Sequence, residues 1–182
     1  MFRNTPLSDT LRSDPGSVRD GAIMMGAPLF WKPWGDLLGT VRTGEPAFDR
    51  AYGEPFFDYL TSHPDDAGVF NRSMSSGSAM GISAAVEAYE FSRFQRIVDV
   101  GGGQGALLGG ILAANPNLRG VLYDLPSVVV GAEALRTGPV ASRVEIVGGD
   151  FFERVPEGAD AYVLKGVIHD WSDENALKIL KN

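Results

Sequence analysis

The sequence predicts an α/β fold, a mostly parallel, doubly wound sheet of four strands preceded by a helical region. Three observations carry that expectation. From about residue 95 onward, short apolar runs alternate with helical stretches, which is the rhythm of βαβ units. A glycine-rich loop, Gly101-Gly102-Gly103-Gln104-Gly105, follows the first run. Each run carries a distinctive polar residue at or beside its end: Asp99, Asp124, Asp150 and His169. In such sheets ligands bind outside the carboxyl ends of the strands.

Taken in order, Pro15 to Met25 reads as a helix with Asp14 as N-cap and Pro15 in the first turn. Trp31 to Arg42 reads as a second helix, with Trp34, Leu37, Leu38 and Val41 at helical spacing and Gly44 as its stop. Pro46-Ala47-Phe48 and Gly53-Glu54-Pro55 read as turns leading into a helical Phe56 to Ser62, and Ala67 to Glu90 as a long, partly amphipathic helix. Then come a strand at Arg96 to Val100, a helix at Ala106 to Ala114 closed by Asn115-Pro116, and a strand at Gly120 to Tyr123. A helix over Ser127 to Leu135, a strand at Val144 to Val147 and a strand at Ala161 to Val167 follow. Ser172 caps a final helix with Asp173 and Glu174 in its first turn.

Composition narrows the function classes. The 182 residues are 44% hydrophobic and 21% charged, proportions of a soluble globular protein. The net charge of −7 argues against nucleic acid as a partner, since that binding rests on clustered basic charge. There is no Cys, so disulfides, Cys-ligated metals and a Cys nucleophile are excluded. The longest apolar stretch, Ala22 to Trp31, is broken by Gly26 and Pro28 and is far shorter than the ~20 residues that span a bilayer. The first residues lack a basic-then-apolar leader, so a cytoplasmic location without membrane contact is expected.

The glycine loop by itself fits two cofactors. Gly101-x-Gly103-x-x-Ala106 satisfies a dinucleotide pattern, and Asp124 would suit a ribose hydroxyl in either case. Two features lean toward S-adenosylmethionine. Asp99 would oppose a pyrophosphate but support a cationic amino-acid group, and Asp150-Phe151 pairs an acceptor with a flat apolar face, as an adenine requires. Of the two histidines, His63 lies in a turn-like, surface segment, whereas His169 follows a strand near the expected cleft. His169 serves equally as a structural cap at this level of reading, and Asp170 either orients it or caps the next helix. Met24, Met25, Phe30, Trp31 and Met74 fit either an aromatic pocket or plain core.

The runs Val98-Asp99-Val100-Gly101-Gly102-Gly103-Gln104-Gly105, Tyr123-Asp124-Leu125-Pro126, Gly149-Asp150-Phe151-Phe152 and Leu164-Lys165-Gly166-Val167-Ile168-His169-Asp170-Trp171 occur in this order. So arranged, the chain resembles the S-adenosylmethionine-dependent small-molecule O-methyltransferases of the plant caffeate and bacterial antibiotic type. Upstream, Val41-Arg42-Thr43-Gly44, Phe56-Phe57-Asp58-Tyr59-Leu60 and Phe70-Asn71-Arg72-Ser73-Met74 resemble that family's linker and substrate region. The resemblance implies a partial Rossmann-like class I methyltransferase fold: a helical linker and substrate region over 1–94, with the tail of a winged-helix module at 1–12, then the first part of the cofactor domain over 95–182. It places Gly101 beside the methionine part of the cofactor, Asp124 on the ribose hydroxyls, Asp150 and Phe151 at the adenine, and Lys165 on the adenine side. It makes His169 the general base and sets Met74 against the substrate ring. The implied partner is a hydroxylated aromatic or polyketide-like small molecule, with a homo-oligomer for the full-length form and no metal.

The chemistry is adequate for those residues. A phenol ionises near pH ~10 and imidazole near ~6.5, so a positioned His can take the hydroxyl proton during attack. Complete family members are longer at both ends, and the acidic residues that assist their His have no counterpart here. Binding of cofactor without turnover is therefore an alternative reading. A nicotinamide-dependent oxidoreductase is a third, dismissed if NADH titration shows no fluorescence change. The run Ala161-Tyr162-Val163-Leu164 is expected to form an apolar sheet edge with unpaired backbone, which invites self-association. A monodisperse monomer with a sharp cooperative melt would contradict that expectation.

Overall fold

The computed structural model describes residues 3–13 and 17–182 and divides into two compact units, Met1–Gly77 and Ser78–Asn182. The first unit holds helices α1 (Pro6–Asp9), α2 (Arg19–Gly26), α3 (Pro28–Trp34), α4 (Leu37–Thr43), α5 (Ala47–Tyr52) and α6 (Phe56–Ser62). It also holds the first turns of α7 (Pro64–Ala88). Helix α2 begins later than expected, and the Asp14 cap and Pro15 first turn lie outside the described residues.

Two helices replace the one expected over Trp31 to Arg42. Pro33 has no N–H to donate and Gly35 is a weak helix former, so α3 ends at Trp34 and α4 restarts at Leu37. Gly44, at φ 75°, ends α4 as predicted. Helix α5 takes in Ala47 and Phe48, read as turn, and runs up to the Gly53 turn. Phe48 stacks on Tyr52 one turn later with ring centroids 4.6 Å apart. Arg50 ties the helix to its surroundings, donating to Asp36 Oδ2 at 2.7 Å and to the Glu45 carbonyl at 2.9 Å. Edge-to-face contacts among Phe48, Phe56, Tyr59 and Phe70, at 5.1–5.5 Å, form the aromatic centre of this unit. His63 is not the surface residue expected: half-buried, it stacks on Tyr59 at 3.6 Å.

The second unit is built on β1 (Arg96–Val100), α8 (Ala106–Ala114), β2 (Arg119–Asp124), α9 (Pro126–Val129), α10 (Glu133–Thr137), β3 (Val144–Gly148), β4 (Ala161–Val163) and α11 (Asp173–Lys181). The strands run in the order β3-β2-β1-β4, all parallel. The register sets Asp99 beside Leu122 and Val163, and Asp124 beside Gly148, so every carboxyl end emerges at one sheet edge. The helix read over Ser127 to Leu135 is again two, α9 and α10, separated at Gly131. The strand read over Ala161 to Val167 stops at Val163, because the chain then turns through Gly166 at φ 70°.

Side chains alternate across β1. Ile97 joins Leu108, Ile111, Leu112, Leu118 and Leu122 in one fully buried cluster, into which Ile82, Val86, Phe91 and Phe94 also pack. Val98 and Val100 join Val121 and Tyr123 in a second. Arg143 stitches the last turn of α8, donating to the carbonyls of Leu112, Asn115 and Leu118 at 2.8–3.0 Å. Among the described residues no strand pairs with the outer edge of β4, and no helix is long and apolar enough to cross a membrane. Replacing Ile111 with Ala should lower unfolding free energy by about 2–5 kcal/mol, read from urea denaturation.

Candidate functional site

The loop after β1 turns back through three left-handed glycines, Gly101, Gly103 and Gly105, at φ 65°, 62° and 82°. Two positions show why side chains are absent. A Cβ on Gly101 would sit 2.7 Å from Val167 Cγ2, and one on Gly102 would sit 2.7 Å from Asp99 Cγ and Oδ2. Above Gly103 the space is open, with nothing within 4 Å of the corresponding position.

Asp124, at the end of β2, closes this loop. Its Oδ2 accepts from the Gly103 amide and its Oδ1 from the Leu125 amide, both at 2.7 Å. Each oxygen keeps a second lone pair for a ligand hydroxyl. Burial raises the Asp124 carboxyl above its ordinary range, while the two amides pull it partly back.

Asp99 lies beneath the loop. It is 2% exposed, and its Oδ2 has no hydrogen-bond partner. Burial first, then the neighbouring Asp124, push its carboxyl up to about 7, against the opposing pull of Lys165 and the Leu108 amide. A cationic group is the missing complement to such a carboxylate.

The third corner follows β3. Asp150 Oδ1 accepts from the Phe152 amide at 2.7 Å, which fixes the turn that presents Phe151. Phe151 is half-buried, meets Trp171 edge-on at 5.9 Å, and has its Cε1 3.6 Å from the position a Gly101 Cβ would take. Thus the ends of β1 and β3 and the segment after β4 converge on Gly101. Lys165 is exposed at the mouth of that segment.

His169 stands six residues beyond β4, in a single 3-10 turn spanning Ile168–Asp170. Its imidazole is 73% exposed, and Nε2 lies 3.0 Å from Asp170 Oδ1. Ser172 rather than Asp170 caps α11, its hydroxyl accepting from the Asn175 amide. Burial raises the Asp170 carboxyl, with His169 opposing. Asp124, Asp150, Phe151, Gly101, Lys165 and His169 all belong to the second unit. Met74 belongs to the first, on α7, and is 43% exposed. There a cavity of about 210 Å³ is lined by Leu29, Phe30, Pro33, Trp34, Phe48 and Phe56, so of the pocket candidates Met24, Met25, Phe30, Trp31 and Met74 only Phe30 lines it. Among the described residues no cluster of His, Asp and Glu could hold a metal.

Sequence reasoning missed Val167, whose methyl groups wall Gly101, because nothing in an apolar run marks the residue that will face a glycine. Asp99, read as support for a cationic amino-acid group, lies buried beneath the loop.

The O-methyltransferase domain family matches residues 34–182. Over the whole chain the sequence is 41% identical to a phenazine O-methyltransferase, PhzM, of Lysobacter antibioticus, and 42% identical to the mitomycin biosynthesis 6-O-methyltransferase of Streptomyces lavendulae. The chain spans about half the length of these relatives, 54% and 52%. The crystal structure of NcsB1, an O-methyltransferase from neocarzinostatin biosynthesis, in complex with S-adenosylmethionine and 2-hydroxy-5-methyl naphthoic acid superposes with a TM-score of 0.84 at 32% identity. That match covers 97% of this chain and 55% of NcsB1.

The buried Asp99 has a stability signature. Its raised folded-state pKa means the folded chain holds a proton that the unfolded chain releases near pH 3.8. Its stabilising contribution is therefore complete below that pH and is lost as pH rises toward about 7, at about 1.4 kcal/mol per pH unit. Asp99→Asn removes this slope, so the variant should gain on the wild type between pH 4 and 7 in paired thermal melts.

Proposed function

The chain belongs to the O-methyltransferase family, and on that premise we propose that it forms the cofactor-holding and proton-accepting part of an S-adenosylmethionine-dependent O-methyltransferase. Its acceptor is a hydroxylated aromatic or polyketide-like small molecule. The observation that carries the reading is the meeting, around one glycine turn, of a loop-closing carboxylate and a half-buried aromatic face, with an exposed imidazole two residues beyond the Val167 that walls the same turn. Relatives named for phenazine and mitomycin chemistry support the acceptor class, and the cofactor bound to NcsB1 supports the donor.

The donor set fits the cofactor part by part. Asp124 offers two carboxylate lone pairs to a ribose diol, and Gly101 allows close approach of the amino-acid portion. Asp150 and Phe151 offer an acceptor and a flat face to the adenine, with Lys165 alongside. Asp124, joined by Asp99 when it is ionised, gives the hollow a negative field that suits a sulfonium and an ammonium. S-adenosylmethionine supplies, when bound, an electrophilic methyl group. His169 accepts the hydroxyl proton at a ring nitrogen as the acceptor oxygen becomes nucleophilic, while Asp170 holds the other side of the imidazolium pair. Met74 contributes an apolar, polarisable contact to the acceptor ring. The same reading includes a homo-oligomer for the full-length form and a cytoplasmic setting, which rest on the family resemblance and the sequence.

Calorimetry with S-adenosylhomocysteine should show binding to the chain, weakened at least ~10-fold in Asp124→Ala, which loses the loop closure and the diol contact together. In a full-length form, His169→Ala should lower methyl transfer to hydroxylated aromatics by ~10²–10⁴-fold while leaving S-adenosylhomocysteine affinity nearly unchanged. Transfer retained within a few-fold removes the base assignment. Binding without product on any acceptor leaves a binding protein, and no binding removes the reading altogether.

A further inference from the structure

Asp99 is the one buried side chain among the described residues with an oxygen left unpartnered, and the glycine loop is laid directly over it. It sits on a central strand with neighbours on both sides and is buried. The charges that face it are few. Strand β2 contributes Asp124, the segment after β4 contributes Lys165, and α8 and the loop Gly101–Gly105 contribute none. Burial away from water, with one like charge and one opposite charge nearby, leaves the anion poorly compensated and draws the carboxyl up to about 7.

We infer that cofactor binding is coupled to release of a proton from Asp99, which acts as a positioning residue beneath the loop rather than as a contact of the ligand. The inference rests on the proposed cofactor reading and extends it. A ligand seated over the loop with a net positive charge adds the compensation that the fold withholds, and shifts Asp99 from carboxylic acid to carboxylate. The proton leaves to solvent, and the ionised Asp99 then attracts the ligand's cation through one layer of glycine backbone. Binding of a cationic ligand thereby strengthens as pH rises through neutrality. A neutral ligand gains little.

The test is calorimetry of the 182-residue chain at pH 7 in two buffers of different ionisation enthalpy. The ligands are sinefungin, whose amine replaces the sulfonium charge, and S-adenosylhomocysteine, which lacks it. Wild type should release roughly half a proton on binding sinefungin, the fraction that a group titrating near 7 holds at that pH, and less on binding S-adenosylhomocysteine. Asp99→Asn should bind sinefungin with no buffer dependence. A parallel measurement covers the case in which that variant does not fold: the carboxyl ¹³C resonances of the wild-type chain should include one that titrates near neutrality and moves to lower pH with sinefungin. Equal enthalpies in both buffers for wild type, proton release retained in Asp99→Asn, or no carboxyl titrating near neutrality each overturn the inference and leave the cofactor reading standing. Failure of both ligands to bind overturns the two together.

Discussion

A buried carboxylate under a glycine turn is the constraint on which the rest of the second unit depends. Because Asp99 fills the space below Gly102, the loop can carry no side chain there, and the backbone itself becomes the floor of the hollow. That floor is then locked from the side by Asp124, which takes the Gly103 amide, and from above by Phe151 and Val167 around Gly101. Without the alignment of the four strand ends the contacts of Asp124, Phe151 and Val167 with the glycine turn would be lost, since each comes from a segment more than twenty residues beyond it. The parallel sheet is what converts distant short motifs into one site.

Legibility in the sequence followed the strength of local signals. Strand β1 and helix α8 were readable to the residue because a β-branched run, a glycine loop and Asn115-Pro116 bracket them. The fourfold strand rhythm and the polar strand ends were equally plain. Helix breaks were harder: Gly35 and Gly131 each divide what apolar spacing presents as a single helix, and a glycine within such spacing gives no sign of whether the chain will bend there. Helix α5 was hidden by flanking Pro46 and Gly53, which mark turns and helix ends alike. The difference between a strand ending at Val163 and one reaching Val167 turned on the left-handed backbone of Gly166, which composition does not encode.

The site was legible as a set of residues but not as a set of depths. Asp99, Asp124 and Asp150 look alike as letters after or within short strands. In the fold one is sealed, one is tied by two amides, and one organises a turn around an aromatic. Burial and hydrogen bonding, rather than residue type, set these apart, and both are products of register. The histidines show the same point. His63 is held against a tyrosine ring, whereas His169 faces solvent with an aspartate at its side.

Among the described residues, strand β4 is three residues long and hydrogen-bonded on one flank, while β1 and β2 are each clasped on both. Backbone breathing is therefore distributed unevenly: the glycine turn and Asp124 ride on the doubly clasped strands, and the segment bearing Lys165 and His169 hangs from a strand clasped on one side. Amide exchange should accordingly sweep from β4 inward long before the glycine turn loosens.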